Sequence, residues 1–236
     1  MQALVAFDLD GVLYTSEAFL GAAYREAIAK VNARRPGSFP RVPSAREIVD
    51  HVGWPVPVIL ERLFPRIERT AVDLLAAESL GVICAHVERG EGQLFPGVVA
   101  TLERLRGSGF LLAVASNGRR PYVEAVLRAH QLTPYFVDLI TIDQAPAVTE
   151  KADVLRSYLA RHSLVVEQLV MVGDRASDVT AAAAIGCRFI GCDYGHGHRS
   201  EIEDAGPLVS SFDQLLRVVP DVLAAVPMLP NGVARS

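Results

Sequence analysis

Two aspartates one residue apart, Asp8 and Asp10, sit inside the run LVAFDLDGVL at residues 4–13. If the apolar part is a strand, its side-chain period of two turns both carboxylates toward one side as the chain leaves the sheet. Two carboxylates at one strand tip repel each other unless a cation lies between them. Mg²⁺ is the simplest such cation, a hard ion that takes carboxylate, carbonyl and water oxygens and pairs with phosphate. An Asp-Gly pair is also an ordinary turn signal, so this decapeptide alone leaves chemistry and a plain strand-to-loop junction evenly matched.

Three further polar punctuations shift that balance. Ser116 and Asn117 follow the apolar residues 111–115, Asp174 and Asp178 follow 169–172, and Lys151 stands in TEKADVL at what reads as a helix start. In open α/β sheets ligands bind beyond the carboxyl ends of the strands, where the strand order reverses. These side chains can therefore meet in one crevice. Asp174 and Asp178 are four apart, so a helix starting near Asp174 would place them on one face of its first turn; the helix dipole favours carboxylates there for purely structural reasons as well.

The series DLDGV, Ser116, Lys151 and GDRASD, in this order and at these intervals, resembles the four motifs of the haloacid dehalogenase superfamily, in its phosphatase branch. The likeness spans residues 4–190. The chain has Lys151-Ala152 where many relatives have Lys-Pro. The resemblance implies a Mg²⁺-dependent phosphatase in which Asp8 is the nucleophile and Asp10 the acid and base. Ser116, Asn117 and Lys151 would hold the phosphoryl oxygens. Asp174 would join Asp8 and the backbone carbonyl of Asp10 as metal ligands, and Asp178 would hold a water or orient the others. A carboxylate nucleophile divides monoester hydrolysis into formation and breakdown of an aspartyl-phosphate, and a positioned carboxyl group suits the proton transfers. Phosphoglycolate or a sugar phosphate is the implied substrate. Two alternatives stay open: a phosphomutase of the β-phosphoglucomutase type, and a non-catalytic binding protein on the same fold.

The elements that must position these groups follow from periodicity. After FPGV at 95–98, helical and strand-like stretches alternate, which implies βα units around a mainly parallel sheet with right-handed crossovers. The expected fold is an α/β, Rossmann-like three-layer core from residues 1–16 and 91–220. Residues 17–90 read as helices only, over 17–35, 56–64 and 67–89, with Ser44 and Glu47 forming a capping-box pattern at the start of SAREIVDHV. An all-helical insert there is expected to be a small cap that closes over the site. In the family the cap loop faces the substrate, so His51 and Trp54 in HVGWPVP are candidate substrate contacts, although a tryptophan between helices is more often core. Arg25 and Arg62 are weaker candidates for a second anionic group. The segment DYGHGHRSE at 193–201, with His196 and His198, reads as a flexible glycine-rich loop after the last core strand and not as a metal site. Residues 221–236 read as a C-terminal extension.

Composition excludes other classes. The 236 residues carry a net charge of −4 and are half hydrophobic, enough for a substantial core and without the basic footprint of a nucleic-acid binder. No uninterrupted apolar run reaches the ~20 residues of a membrane span, and no basic leader precedes the first strand. Three cysteines, Cys84, Cys187 and Cys192, fit a reducing compartment. The expectation is a cytoplasmic protein, monomer or homodimer, acting on a small phosphorylated metabolite.

Overall fold

The computed structural model describes residues 2–143 and 148–224. The elements run in the order β1 (Leu4–Phe7), β2 (Tyr14–Thr15), α1 (Glu17–Arg34), α2 (Ala45–Val49), α3 (Val56–Leu63), α4 (Arg69–Glu88), β3 (Gln93–Leu94), α5 (Val98–Gly107) and β4 (Leu111–Ser116). They continue as α6 (Arg120–Ala129), β5 (Asp138–Thr141), α7 (Lys151–Arg161), β6 (Leu169–Gly173), α8 (Ala176–Ile185), β7 (Arg188–Cys192), β8 (Leu208–Val209) and α9 (Leu215–Ala224). Six strands form one sheet in the order β5-β4-β1-β6-β7-β8, parallel throughout. β1 lies at the centre, with Phe7 opposite Val114 on one side and Val172 on the other. The chain fills one half of the sheet after β1 and the other half from β6 onward, so the strand order reverses around β1. That is where an open α/β sheet leaves its crevice.

Strand alternation builds the three layers. Val5, Phe7, Leu112, Val114, Val170 and Val172 face a core shared with α5, α6 and α9. Leu4, Ala6, Ala113, Leu169 and Met171 face a second core under α7 and α8. Both faces are covered, which is why these strands read as unbroken apolar runs and not as an alternating pattern.

Residues 17–88 contribute four helices and no strand. Ser44 caps α2 as its sequence predicts: its hydroxyl accepts from Glu47 N at 3.2 Å and Glu47 Oε2 accepts from Ser44 N at 2.8 Å. By length and composition α4 is apolar enough to cross a membrane, but it packs against α1, α3 and α6. Its apolar character serves two faces at once, with Leu75 and Val82 buried in the core and Ala76, Leu80 and Ile83 along an internal cavity.

Four features differ from the sequence reading. The insert is entered and left through a two-stranded antiparallel ribbon, β2 with β3, which pairs Tyr14 with Leu94 and Thr15 with Gln93. β7 is not the last strand, since β8 extends the sheet beyond it. α9 carries Pro220 inside it and runs on to Ala224, across the expected boundary at 220; residues 225–236 of the expected extension lie outside the described residues. The segment 193–201 is not a free loop, because His196 and Gly197 close around Asp174.

Candidate active site

β1 ends at Phe7, and Asp8 N still donates to Val172 O at 2.9 Å, which fixes the first carboxylate at the carboxyl end of the central strand. The chain then turns sharply. Gly11 has φ +82°, and a Cβ there would lie 2.2 Å from Asp174 Oδ2. Only glycine allows both the left-handed backbone and that approach. β4 ends at Ser116, β6 at Gly173, and α7 begins at Lys151, so four elements deliver their polar ends to one place.

Asp8, Asp174 and Asp178 offer oxygens within 4.8 Å of one another, a grouping able to hold a metal ion. All three are buried, and so is Lys151. Lys151 Nζ lies 3.1 Å from Asp8 Oδ1 and 2.5 Å from Asp178 Oδ1. Asp178 Oδ2 accepts from the backbone of Asp174 and Arg175, each at 3.1 Å. Both Asp178 oxygens are thus engaged by protein donors, so this carboxylate positions Lys151 and the turn after β6. Asp8 Oδ1 also accepts from Leu9 N at 2.8 Å. By contrast, Asp8 Oδ2 and Asp174 Oδ1 are buried with no hydrogen-bond partner.

Two orphaned carboxylate oxygens in a buried site are costly unless a cation takes them. Burial pushes Asp8 well above the usual carboxylate range against the pull of Lys151, with repulsion from Asp178, Asp174 and Asp10 adding to the rise. Burial and repulsion from Asp178 raise Asp174 to about 7, despite the backbone donors and Arg175 beside it. Burial works against the Lys151 ammonium, yet Asp178 and Asp8 overcome it and hold the lysine protonated. One ammonium among these carboxylates leaves an excess of negative charge, and that excess together with the orphaned oxygens fits a divalent, oxygen-seeking ion such as Mg²⁺.

Asp10 has different surroundings. Its Oδ1 accepts from the Tyr122 hydroxyl at 2.6 Å, and burial raises it to about 6 even though that hydrogen bond and Lys151 favour the ionised form. A carboxyl group titrating there can donate and accept a proton near neutrality. Two neighbouring aspartates whose environments separate them in this way suit different roles.

The segment after β7 forms a clasp. His196 N and Gly197 N donate to Asp174 Oδ2 at 2.7 and 3.0 Å. Gly197 passes so close that a Cβ would meet Asp174 O at 1.8 Å. The imidazole of His196 leans on Phe95, ring centroids 6.4 Å apart, and does not join the carboxylates. The glycines that read as flexibility are there for close approach.

The remaining candidates divide. Ser116 Oγ accepts from Gly118 N at 2.9 Å. Asn117 Nδ2 donates to Gly53 O in the loop before α3, at 2.8 Å, so its amide ties the core to the helical insert. Trp54 lines the cavity above Asp8 and Asp10 together with Ser116 and Asn117, whereas His51 is not among the lining residues. Arg62 is exposed, with its guanidinium 4.4 Å from the Trp54 ring centroid, and Arg25 is exposed on α1. Two contributors escape a sequence reading. Tyr122 lies far from Asp10 along the chain and carries no motif. Arg175, inside GDRASD, reaches Val49 O in the insert at 3.2 Å and lies 3.6 Å from Glu201; its place between two motif aspartates was the available signal.

Comparison with known proteins agrees with this architecture. The family model described as haloacid dehalogenase-like hydrolase matches residues 3–186, and a second, HAD-hydrolase-like model matches 151–223. The chain belongs to the haloacid dehalogenase-like hydrolase family. This hydrolase is 33% identical over 231 residues to phosphoglycolate phosphatase of Vibrio cholerae, covering 92% of this chain and 96% of that protein. It is 30% identical over 224 residues to the protein of the same name from Vibrio parahaemolyticus, with 92% and 95% covered. A predicted phosphatase from Clostridium acetobutylicum shares the hydrolase's fold with TM-score 0.79 at 23% identity, over 93% of this chain and 98% of that one. So does CbbY from Rhodobacter sphaeroides, solved as a D10N mutant with xylulose-1,5-bisphosphate, with TM-score 0.75 at 22% identity over 91% and 96%.

Proposed function

We propose that this hydrolase is a Mg²⁺-dependent phosphatase that cleaves a small phosphate monoester through an aspartyl-phosphate on Asp8. The observation that carries the reading is the pair of orphaned, buried oxygens on Asp8 and Asp174 beside a single ammonium. Asp8 and Asp174, with the backbone carbonyl of Asp10, would hold the ion. When bound, it would neutralise the carboxylates and draw charge from the phosphoryl oxygens. The names of the curated relatives support a phosphatase over a mutase.

The chain's own residues account for each bond. The Asp8 carboxylate forms a bond to phosphorus as the ester P–O bond breaks, and Asp10 in its acid form gives the leaving alkoxide its proton. Asp10, now ionised, takes a proton from a water that attacks the same phosphorus. The bond to Asp8 breaks, inorganic phosphate leaves, and both carboxyl groups return to their starting states. Lys151 keeps Asp8 oriented and offers charge to the phosphoryl oxygens, with the Ser116 hydroxyl as a further donor; such fixed groups supply most of the barrier reduction in phosphoryl transfer. Tyr122 holds the Asp10 carboxyl in place for both proton transfers. The free thiols of Cys84, Cys187 and Cys192 support a cytoplasmic setting.

The test is phosphate release from a panel of phosphorylated metabolites with Mg²⁺ and with EDTA, using Asp8→Asn as the blank. Mg²⁺-dependent release that the blank lacks is the expected result. Interconversion of sugar phosphates without free phosphate, or no turnover at all, would overturn it.

A further inference from the structure

Resting on that phosphatase reading, we propose that the alcohol leaving from this site is apolar, aliphatic or aromatic, and not a glycolate or a sugar. The cavity that opens from Asp8 and Asp10 runs beneath the helical insert, and its walls there are Leu20, Val52, Trp54, Val56, Leu80 and Ile83. Three separate elements and the loop before α3 contribute to this surface. On α4 the lining positions Ala76, Ser79, Leu80 and Ile83 follow the three- and four-residue spacing of one helix face, so the stripe is a continuous wall.

Beyond the groups at the phosphate end, the polar side chains lining the cavity are Ser16, Tyr24, Ser79, Arg119 and Tyr122, and Tyr122 gives its hydroxyl to Asp10. Ser79 turns its hydroxyl back to Ala76 O at 3.2 Å. Tyr24 presents a phenol, and burial raises it to about 12, so it stays a neutral hydroxyl. Arg119 is the one Lys, Arg or His among the lining residues; it gives Nη1 to the same Ala76 carbonyl at 2.8 Å and also faces an outer groove beside α3 and α4.

A sugar phosphate brings several hydroxyls, more than the Tyr24 phenol and the engaged groups on this wall can meet, with a penalty for every group left unpaired. A glycolate brings a carboxylate, which buried sites accept when it is met by fixed donors. One half-buried guanidinium already bonded to a helix carbonyl is a poor match. An aliphatic or aromatic body instead gains contact along the full stripe and stacks beside Trp54. The phosphate end asks for none of this selectivity, since the carboxylate cluster, Lys151 and Ser116 serve any monoester.

The experiment uses the full chain with Mg²⁺ and reads phosphate release from 3-methylbutyl and benzyl phosphate against phosphoglycolate, glycerol 3-phosphate and ribose 5-phosphate. The expected result is kcat/KM about tenfold or more higher for each apolar ester, the scale on which apolar pockets discriminate. A polar ester that matches or exceeds them overturns the proposal. Leu80→Asn and Ile83→Asn are each expected to lower the ratio of benzyl phosphate to glycerol 3-phosphate turnover by about tenfold, a quantity insensitive to how much of the variant is folded. A ratio that both variants leave unmoved also overturns it. If neither these esters nor p-nitrophenyl phosphate release phosphate, the phosphatase reading fails and takes the selectivity with it, an outcome distinct from release with the opposite preference.

Discussion

Lys151 holds the most consequential position of any single residue, because it is the ammonium that pairs with Asp8 and Asp178 inside the protein. Replacing it by methionine keeps the volume and strands two buried carboxylates. Lys151→Met is therefore expected to lose about 3–5 kcal/mol of stability, read by urea unfolding. Asp8→Asn keeps shape and removes the nucleophile, so turnover should fall on the order of 10⁴-fold or more while the urea midpoint does not fall. Tyr122→Phe deletes one hydrogen bond to Asp10; a stability change of about 1 kcal/mol and a lower kcat are the expected outcomes in unfolding and steady-state assays. The acidic residues and Lys151 were legible in the sequence because each ends a strand-like run or begins a helix, and such ends converge in this class of sheet. Tyr122 was not legible. It reaches Asp10 only because α6 packs beneath the crevice, and nothing in RPYVEAVLRA distinguishes it from a core tyrosine.

Between elements, Arg119 ties the core to α4 through Ala76 O, and two further hydrogen bonds hold the segment from α2 to α3 against the sheet: Asn117 to Gly53 and Arg175 to Val49. These two begin on turns that also carry site residues, so the same segments that form the crevice secure its cover. Asn117→Ala combined with Arg175→Ala should speed amide hydrogen exchange across residues 45–57 and raise KM more than it lowers kcat. Unchanged exchange in that stretch would show that other contacts hold the cover. Helical periodicity disclosed α1, α3 and α4 from the sequence, and capping chemistry disclosed α2. The ribbon was invisible because two-residue strands carry no alternation to detect. The clasp on Asp174 was misread for a related reason: glycine signals both freedom and close approach, and only the neighbouring atoms tell which.

For the molecule as a whole, net charge and buried charge meet at one point, since a chain of net charge −4 keeps Asp8, Asp10, Asp174 and Asp178 out of water with Lys151 among them. Folding should therefore be coupled to divalent ion binding. Mg²⁺ at a hundredfold excess over its Kd is expected to add about 2.7 kcal/mol, measured by thermal melting against EDTA. Asp174→Asn should abolish that gain and, by removing one repelling charge, melt higher than the parent in EDTA. The thiols give an independent check on the core. Burial raises Cys187 to about 12 and Cys192 further, and raises the half-buried Cys84 as well, so thiolate is scarce at pH 8. Alkylation should be slow in the native protein and reach all three cysteines after unfolding. The pairing of Thr15 with Gln93 has a wider implication. The polypeptide departs on its helical excursion and comes home through a single doorway, so whatever is built outside leaves the threshold unmoved. A lineage can exchange the whole outbuilding, and with it the choice of guest, while inheriting the hearth intact.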